Sequence, residues 1–178
     1  MIQWLKGLSL AKLLIPILSI VTCTAVTITV YTVWFREPDV ILTPDYAPEE
    51  TEPNAEVIPG DDDTKLEMED GGGAIGIEYI AGVTIDLSEK KASLQFANPG
   101  KSTQDMVLQI VIQDVIVAQS GRLEPGYQLK ELALLKDAEK MLSEGGYDGK
   151  FVILSYDPES GEKAMVNTEA AITITVKK

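Results

Sequence analysis

Residues 142–161 read LSEGGYDGKFVILSYDPESG. The glycine pair Gly145-Gly146 makes a turn, Tyr147 follows it, and Gly149 to Tyr156 is an apolar-rich run of strand length. Asp157-Pro158-Glu159-Ser160-Gly161 then supplies turn chemistry at every position, so a hairpin into a second strand over Ala164 to Val176 is expected. The period is two, and the reading extends outward in both directions. Met106, Leu108, Ile110 and Ile112 alternate with Val107, Gln109, Val111 and Gln113. Ala92, Leu94 and Phe96 alternate with Ser93, Gln95 and Ala97 until Asn98-Pro99-Gly100 turns the chain. Further strands are expected at Ile75 to Ile80, Val83 to Leu87 and Val115 to Gln119. Leu129 to Leu142, LKELALLKDAEKML, consists of good helix formers. Pro125-Gly126 opens it as a turn opens a strand, and the surrounding pattern is β. The expectation is therefore a strand at Tyr127 to Leu134 and a short helical turn at Asp137 to Leu142.

A glycine turn, a tyrosine and then an alternating strand resembles the tyrosine corner of immunoglobulin-like sandwiches. Ser143 and Gly149 stand where antibody-type domains have Asp and Cys, so no disulfide-bonded immunoglobulin domain is implied. With the turns at Asn98-Pro99-Gly100, Ser120-Gly121 and Pro125-Gly126, residues 74–178 resemble the Ig-like or fibronectin-type modules of Gram-positive bacterial surface proteins. The resemblance implies an all-β, antiparallel sandwich and a cell-surface habitat. It carries no catalytic, cofactor-binding or metal-binding residues.

Upstream of this domain the composition changes. Between Glu37 and Gly73 there are 13 acidic residues, with prolines at 38, 44, 48, 53 and 59 and the run Gly71-Gly72-Gly73. Such a segment buries little apolar surface to offset its chain entropy, so residues 36–73 are expected to form a disordered, extended stalk. Asp61-Asp62-Asp63 with Glu67, Glu69 and Asp70 offers oxygen ligands for calcium, but the spacing is not that of a calcium-binding loop, and the run reads as solvated charge.

Further upstream, Leu13 to Phe35 is a run of 23 residues without a charge. As a helix it spans a hydrocarbon core of about 30 Å. Lys6 and Lys12 precede it and Arg36, Glu37 and Asp39 follow. The charge bias puts residues 1–12 in the cytoplasm, a transmembrane helix at residues 13–35, and everything after Arg36 outside. Trp4, Tyr31 and Trp34 suit the two interfaces. Thr22, Thr24, Thr27, Thr29 and Thr32 are tolerated in a helix that bonds their hydroxyls back to carbonyls one turn earlier. The run is too long for a cleaved signal peptide, and Thr22 before Cys23 departs from a lipoprotein cleavage site.

Composition bounds the function. The chain has 178 residues, a net charge of -13, one cysteine and no histidine. A chain this acidic repels phosphate backbones, so no nucleic-acid partner is expected. Without histidine the commonest general base and transition-metal ligand is missing, and no P-loop, nucleophile elbow or dinucleotide fingerprint occurs. No enzyme is expected. The expected function is a membrane-anchored interaction module of a bacterial envelope or secretion assembly, monomeric in its outer domain, binding another envelope protein through a sheet edge or a loop end. The alternatives are a structural subunit of a surface fibre and a carbohydrate- or calcium-binding lectin-like module, which needs exposed aromatic platforms. Tyr46, Tyr79, Tyr127, Tyr147, Tyr156, Phe96 and Phe151 are the candidates, most of them expected in the core.

Overall fold

A computed structural model describes residues 10–34, 44–68 and 72–178. The chain divides into two compact units, Met1–Val40 and Ile41–Lys178. In the first unit α1 (Leu10–Trp34) is a helix of 25 residues. Its hydroxyls back-bond as expected of apolar surroundings: Thr22 donates to Leu18 O at 2.8 Å, Thr24 to Ile20 O at 2.8 Å and Thr27 to Cys23 O at 2.8 Å. Among the described residues no helix is long and apolar enough to cross a membrane. The expected crossing at Leu13 to Phe35 therefore rests on the sequence. Trp4, Lys6, Arg36, Glu37 and Asp39, from which its orientation was read, lie outside the described residues.

The second unit is a curled nine-stranded sheet. Its strands are β1 (Ala55–Val57), β2 (Glu78–Tyr79), β3 (Gly82–Asp86), β4 (Lys91–Asn98), β5 (Asp105–Ile112), β6 (Val115–Gln119), β7 (Tyr127–Ala133), β8 (Gly145–Tyr156) and β9 (Thr168–Lys177), with a single-turn helix, α2 (Ala138–Met141), between β7 and β8. The order is β1-β7-β4-β3-β9-β8-β5-β6, and β2 adds to β4. All pairings are antiparallel except β3 with β9, where Val83 lies beside Ile174 and Ile85 beside Val176 in a parallel ladder. β3 also pairs with β4, so it joins the two halves of the sheet. Across the fold Phe96 of β4 meets Phe151 of β8 edge to face, with centroids 5.9 Å apart. The curl thus brings the inner faces of β4 and β8 together around one core.

Alternation sets which residues fill that core. Ala92, Leu94 and Phe96 from β4, Met106, Leu108, Ile110 and Ile112 from β5, Phe151 and Ile153 from β8, and Ile172, Ile174 and Val176 from β9 all point inward. Gly149 sits opposite Ile112 and Ile172. A Cβ there would lie 2.5 Å from Ile174 Cδ1 and 2.8 Å from Val111 O. The position where an antibody domain carries cysteine is thus filled here by isoleucine from the next strand.

Four expectations are refined. β7 forms as a strand despite its helix-forming composition because Leu129 and Leu132 are buried and the segment is paired on both sides, to β4 and to β1. The helical turn is confined to α2, opened by Asp137 at φ 65°. The strand expected at Ala164 begins only at Thr168, leaving Met165 and Val166 in a loop, and of Ile75 to Ile80 only Glu78–Tyr79 pairs.

The acidic segment is a correction. Residues 44–68 do not form an extended stalk; they lie along the β domain. Tyr46 bridges Glu162, Thr51 bridges Arg122, and β1 pairs with β7 through Ala55–Leu129, Glu56–Gln128 and Val57–Tyr127. Glu52 is buried: its Oε2 accepts from Gly121 N at 2.7 Å and its Oε1 from Asn54 N at 3.1 Å. The charge density that argued for disorder is resolved by backbone pairing, which does not depend on side-chain polarity. What is bonded are the segment's amides and carbonyls, while most of its carboxylates stay in water. The domain boundary accordingly lies near Ile41 and not at Ala74.

Tyr147 makes the corner its sequence context suggested. Its hydroxyl donates to Ser143 O at 3.0 Å and accepts from Ser143 N at 3.1 Å. The ring is half-buried against the core. Tyr147→Phe keeps the ring and removes both bonds, so it should cost about 1 kcal/mol in a denaturant titration. A change within measurement noise would mean that the hydroxyl contributes nothing to closing the β7–β8 connection.

Candidate functional site

One end of the domain gathers the loop between β4 and β5, the stretch between β6 and β7, the loop between β8 and β9, and the acidic segment. Residues 60–66 wrap the first of these. Asp61 Oδ2 accepts from Gly100 N, Lys65 Nζ donates to Gly100 O at 2.7 Å and to Ser102 O at 2.9 Å, and Leu66 N donates to Lys101 O at 2.9 Å. Asp62 is turned to local use: its Oδ1 accepts from Thr64 N at 2.9 Å, a bond that, ahead of the Thr64 side chain, holds its carboxyl below the usual range. Asp61 and Asp62, two of the four aspartates considered for calcium, thus bond to backbone amides. Among the described residues no group of three or more His, Cys, Asp or Glu side chains is placed to hold a metal ion. Glu69, Asp70 and Gly71 lie outside the described residues.

Between these loops lies a groove of about 1170 Å³. It is lined by Asp105 and Arg122, with Arg122 Nε 3.6 Å from Asp105 Oδ2 and Nη2 3.2 Å from Glu124 Oε1. Asp105 is 5% exposed, and burial pushes its carboxyl above the usual range, opposed by the charge of Arg122. Asp157, Glu159 and Glu162 also line it. Asp157 organises its own loop by accepting from Ser160 N at 2.7 Å and Glu159 N at 3.1 Å. Met68 and Met165 add apolar surface, 58% and 98% exposed, and Val166 beside them is 76% exposed.

The aromatic residues divide. Phe96, Phe151 and Tyr156 are fully buried, Tyr127 and Tyr147 are half-buried, and Tyr46 and Tyr79 are exposed. Tyr79 is engaged edge-on with Phe151 at 5.9 Å. The groove residues Asp105, Arg122, Met68 and Met165 were not singled out from the sequence. The one available signal was Met165-Val166 directly after a polar turn, where strand alternation had not yet begun.

Neither end of the sheet presents a long open strand. The outer edge of β7 is taken by β1, whose three residues lie between Pro53 and Pro59; short strands and prolines are protected edges. β6 is bridged at Ala118 by Leu134, and Leu135 N donates to Val117 O at 2.9 Å.

No protein-family model matches the chain, and no curated protein matches it. Among solved structures it is similar to the crystal structure of AggA, the major subunit of aggregative adherence fimbriae type I from Escherichia coli. The identity is 12%, the match covers 60% of this chain and 97% of that one, and the TM-score is 0.31. A superposition this loose carries no weight for fold or function.

Proposed function

We propose that the chain is a membrane-tethered, extracytoplasmic interaction module with an immunoglobulin-like domain, whose partner is another protein of the cell envelope. The observation that carries this reading is the loop end, where a groove and the exposed Met165 and Val166 lie together, while one end of the sheet is the three-residue β1 and the other, β6, is bridged by the chain itself at Ala118. The immunoglobulin-like assignment is supported by the grouping of β3, β4 and β7 against β5, β8 and β9, and by a tyrosine corner at the start of β8. The tether is supported by the uncharged run Leu13 to Phe35 and by the exposed apolar side chains of α1, among them Ile15, Leu18, Ile20 and Val26. The lysines at 6 and 12 assign the N-terminus to the cytoplasm and the β domain to the outside.

The test is site-specific photocrosslinking in cells with probes at Met165 and Val166, and control probes at Val57 and Val115 on the two edge strands. A discrete heterotypic adduct from the loop end alone is expected, with the purified full chain monomeric on its anchor. A ladder of homotypic adducts would instead identify a fibre subunit, and adducts from Val57 or Val115 alone would indicate strand addition. Protease added to intact cells lacking a wall should reach the β domain; protection until lysis would reverse the topology.

A further inference from the structure

Resting on the interaction reading, we infer that the loop-end groove takes an extended segment of the partner protein that carries lysine or arginine next to apolar side chains. Of the groove's charged lining residues, Asp105, Glu124, Asp157, Glu159 and Glu162 are acidic, while Lys65, Arg122 and Lys163 are basic. Two of the three cations are already committed. The Lys65 ammonium is held by two carbonyls, and Arg122 lies between Asp105 and Glu124. The side chains of Glu159 and Glu162 make no ion pair among the described residues and stand exposed. Lys163 is the third cation, and five carboxylates against three cations leave the lining with a net negative charge that favours an entering cation. An acidic segment meets the same carboxylates and a chain of net charge -13.

The apolar part of the recognition comes from the same rim. Met165 is almost wholly in water at 98% exposed, and Met68 lines the groove with it. Methionine adapts its unbranched side chain to whatever packs on it, which suits a surface that receives a partner's apolar side chain. Burial of such side chains provides affinity, while the carboxylates select the sign of the partner's charge.

The experiment selects a random 12-residue peptide library on the full chain held in detergent micelles. Enriched peptides should carry Lys or Arg within two positions of an apolar residue. Their affinity should fall roughly tenfold on Met165→Ser and on the double change Glu159→Lys with Glu162→Lys. It should also weaken with added salt and stay unchanged on Thr173→Lys, on the exposed face of β9. All the altered positions are exposed, so unchanged thermal melting confirms that the fold is retained. Acidic or neutral winners, winners indifferent to the groove variants, or no enrichment at all would overturn the inference. None of those results touches the in-cell crosslinks from Met165 and Val166, on which the interaction reading stands or falls separately.

Discussion

A chain beginning at Ala74 should fail to fold stably, whereas one beginning at Ile41 should fold. The difference lies in what residues 44–66 cover. On the outer face of the sheet Val107, Val111, Val152, Leu154 and Tyr156 form a second apolar cluster, and Ala47 packs against it. The Tyr156 hydroxyl donates to Pro44 O at 3.1 Å, and burial, together with the nearby Asp45, pushes that phenol up to about 12. Ala47 N reaches Gly161 O at 2.8 Å, Lys163 N reaches Asp45 O at 3.0 Å, and Glu52 N reaches Arg122 O at 2.9 Å. Removing the segment strands these groups, uncovers the cluster and opens the edge of β7. At about 1 kcal/mol for each hydrogen bond and about 25 cal/mol for each Å² of apolar surface, the loss is on the order of 5 to 10 kcal/mol. That is the size of a small domain's whole stability. The expected readout is a sharp urea transition for the Ile41 chain and aggregation or loss of near-ultraviolet signal for the Ala74 chain. Gly121→Val gives a milder version, since a Cβ at Gly121 would lie 3.0 Å from Glu52 N and 3.1 Å from Glu50 O. Equal stability of the two chains would show that the acidic segment is the dispensable tether its composition suggested.

The sheet was legible in the sequence because alternation is a direct consequence of a pleated strand with one face buried. β4, β5, β6 and β7 lie within a residue or two of their expected bounds for that reason. The corner at Tyr147 was legible because glycine, tyrosine and strand stand in a fixed local order. Residues 44–68 were misread because composition reports on side chains, and what holds this segment is chiefly its backbone. No periodicity marks Ala55–Val57 as a strand: it is three residues long, none of them is fully buried, and its partner β7 is about 70 residues away. The groove was illegible for a related reason. Asp105 opens β5 while Arg122 and Met165 lie in two separate connections, so the three are far apart in sequence and meet only at one end of the folded sheet.

Phe151→Ala should cost about 3 to 5 kcal/mol. Phe151 is wholly buried and follows the corner directly along β8, paired to Ile110 on one side and Ala170 on the other. Its ring meets Phe96 of β4 at an interplanar angle of 70° and Tyr79 of β2 at 85°, both with centroids at 5.9 Å. Edge-to-face contacts of this kind add roughly 0.5 to 1.5 kcal/mol each beyond the area they bury. Because the three rings come from different strands, they join the two halves of the curled sheet at the point where no backbone hydrogen bonds do so. Truncation leaves a cavity that Phe96, pinned by its own strand pairing to Leu129, cannot collapse to fill. Tyr79→Ala removes one of the two contacts from a ring that is 43% exposed, so it should cost far less, about 1 kcal/mol. The urea midpoint should fall for Phe151→Ala while the slope of the transition stays constant, since the surface exposed on unfolding is nearly the same. A cost below that of Tyr79→Ala would mean that the halves are held together through β3 alone, by its parallel ladder to β9.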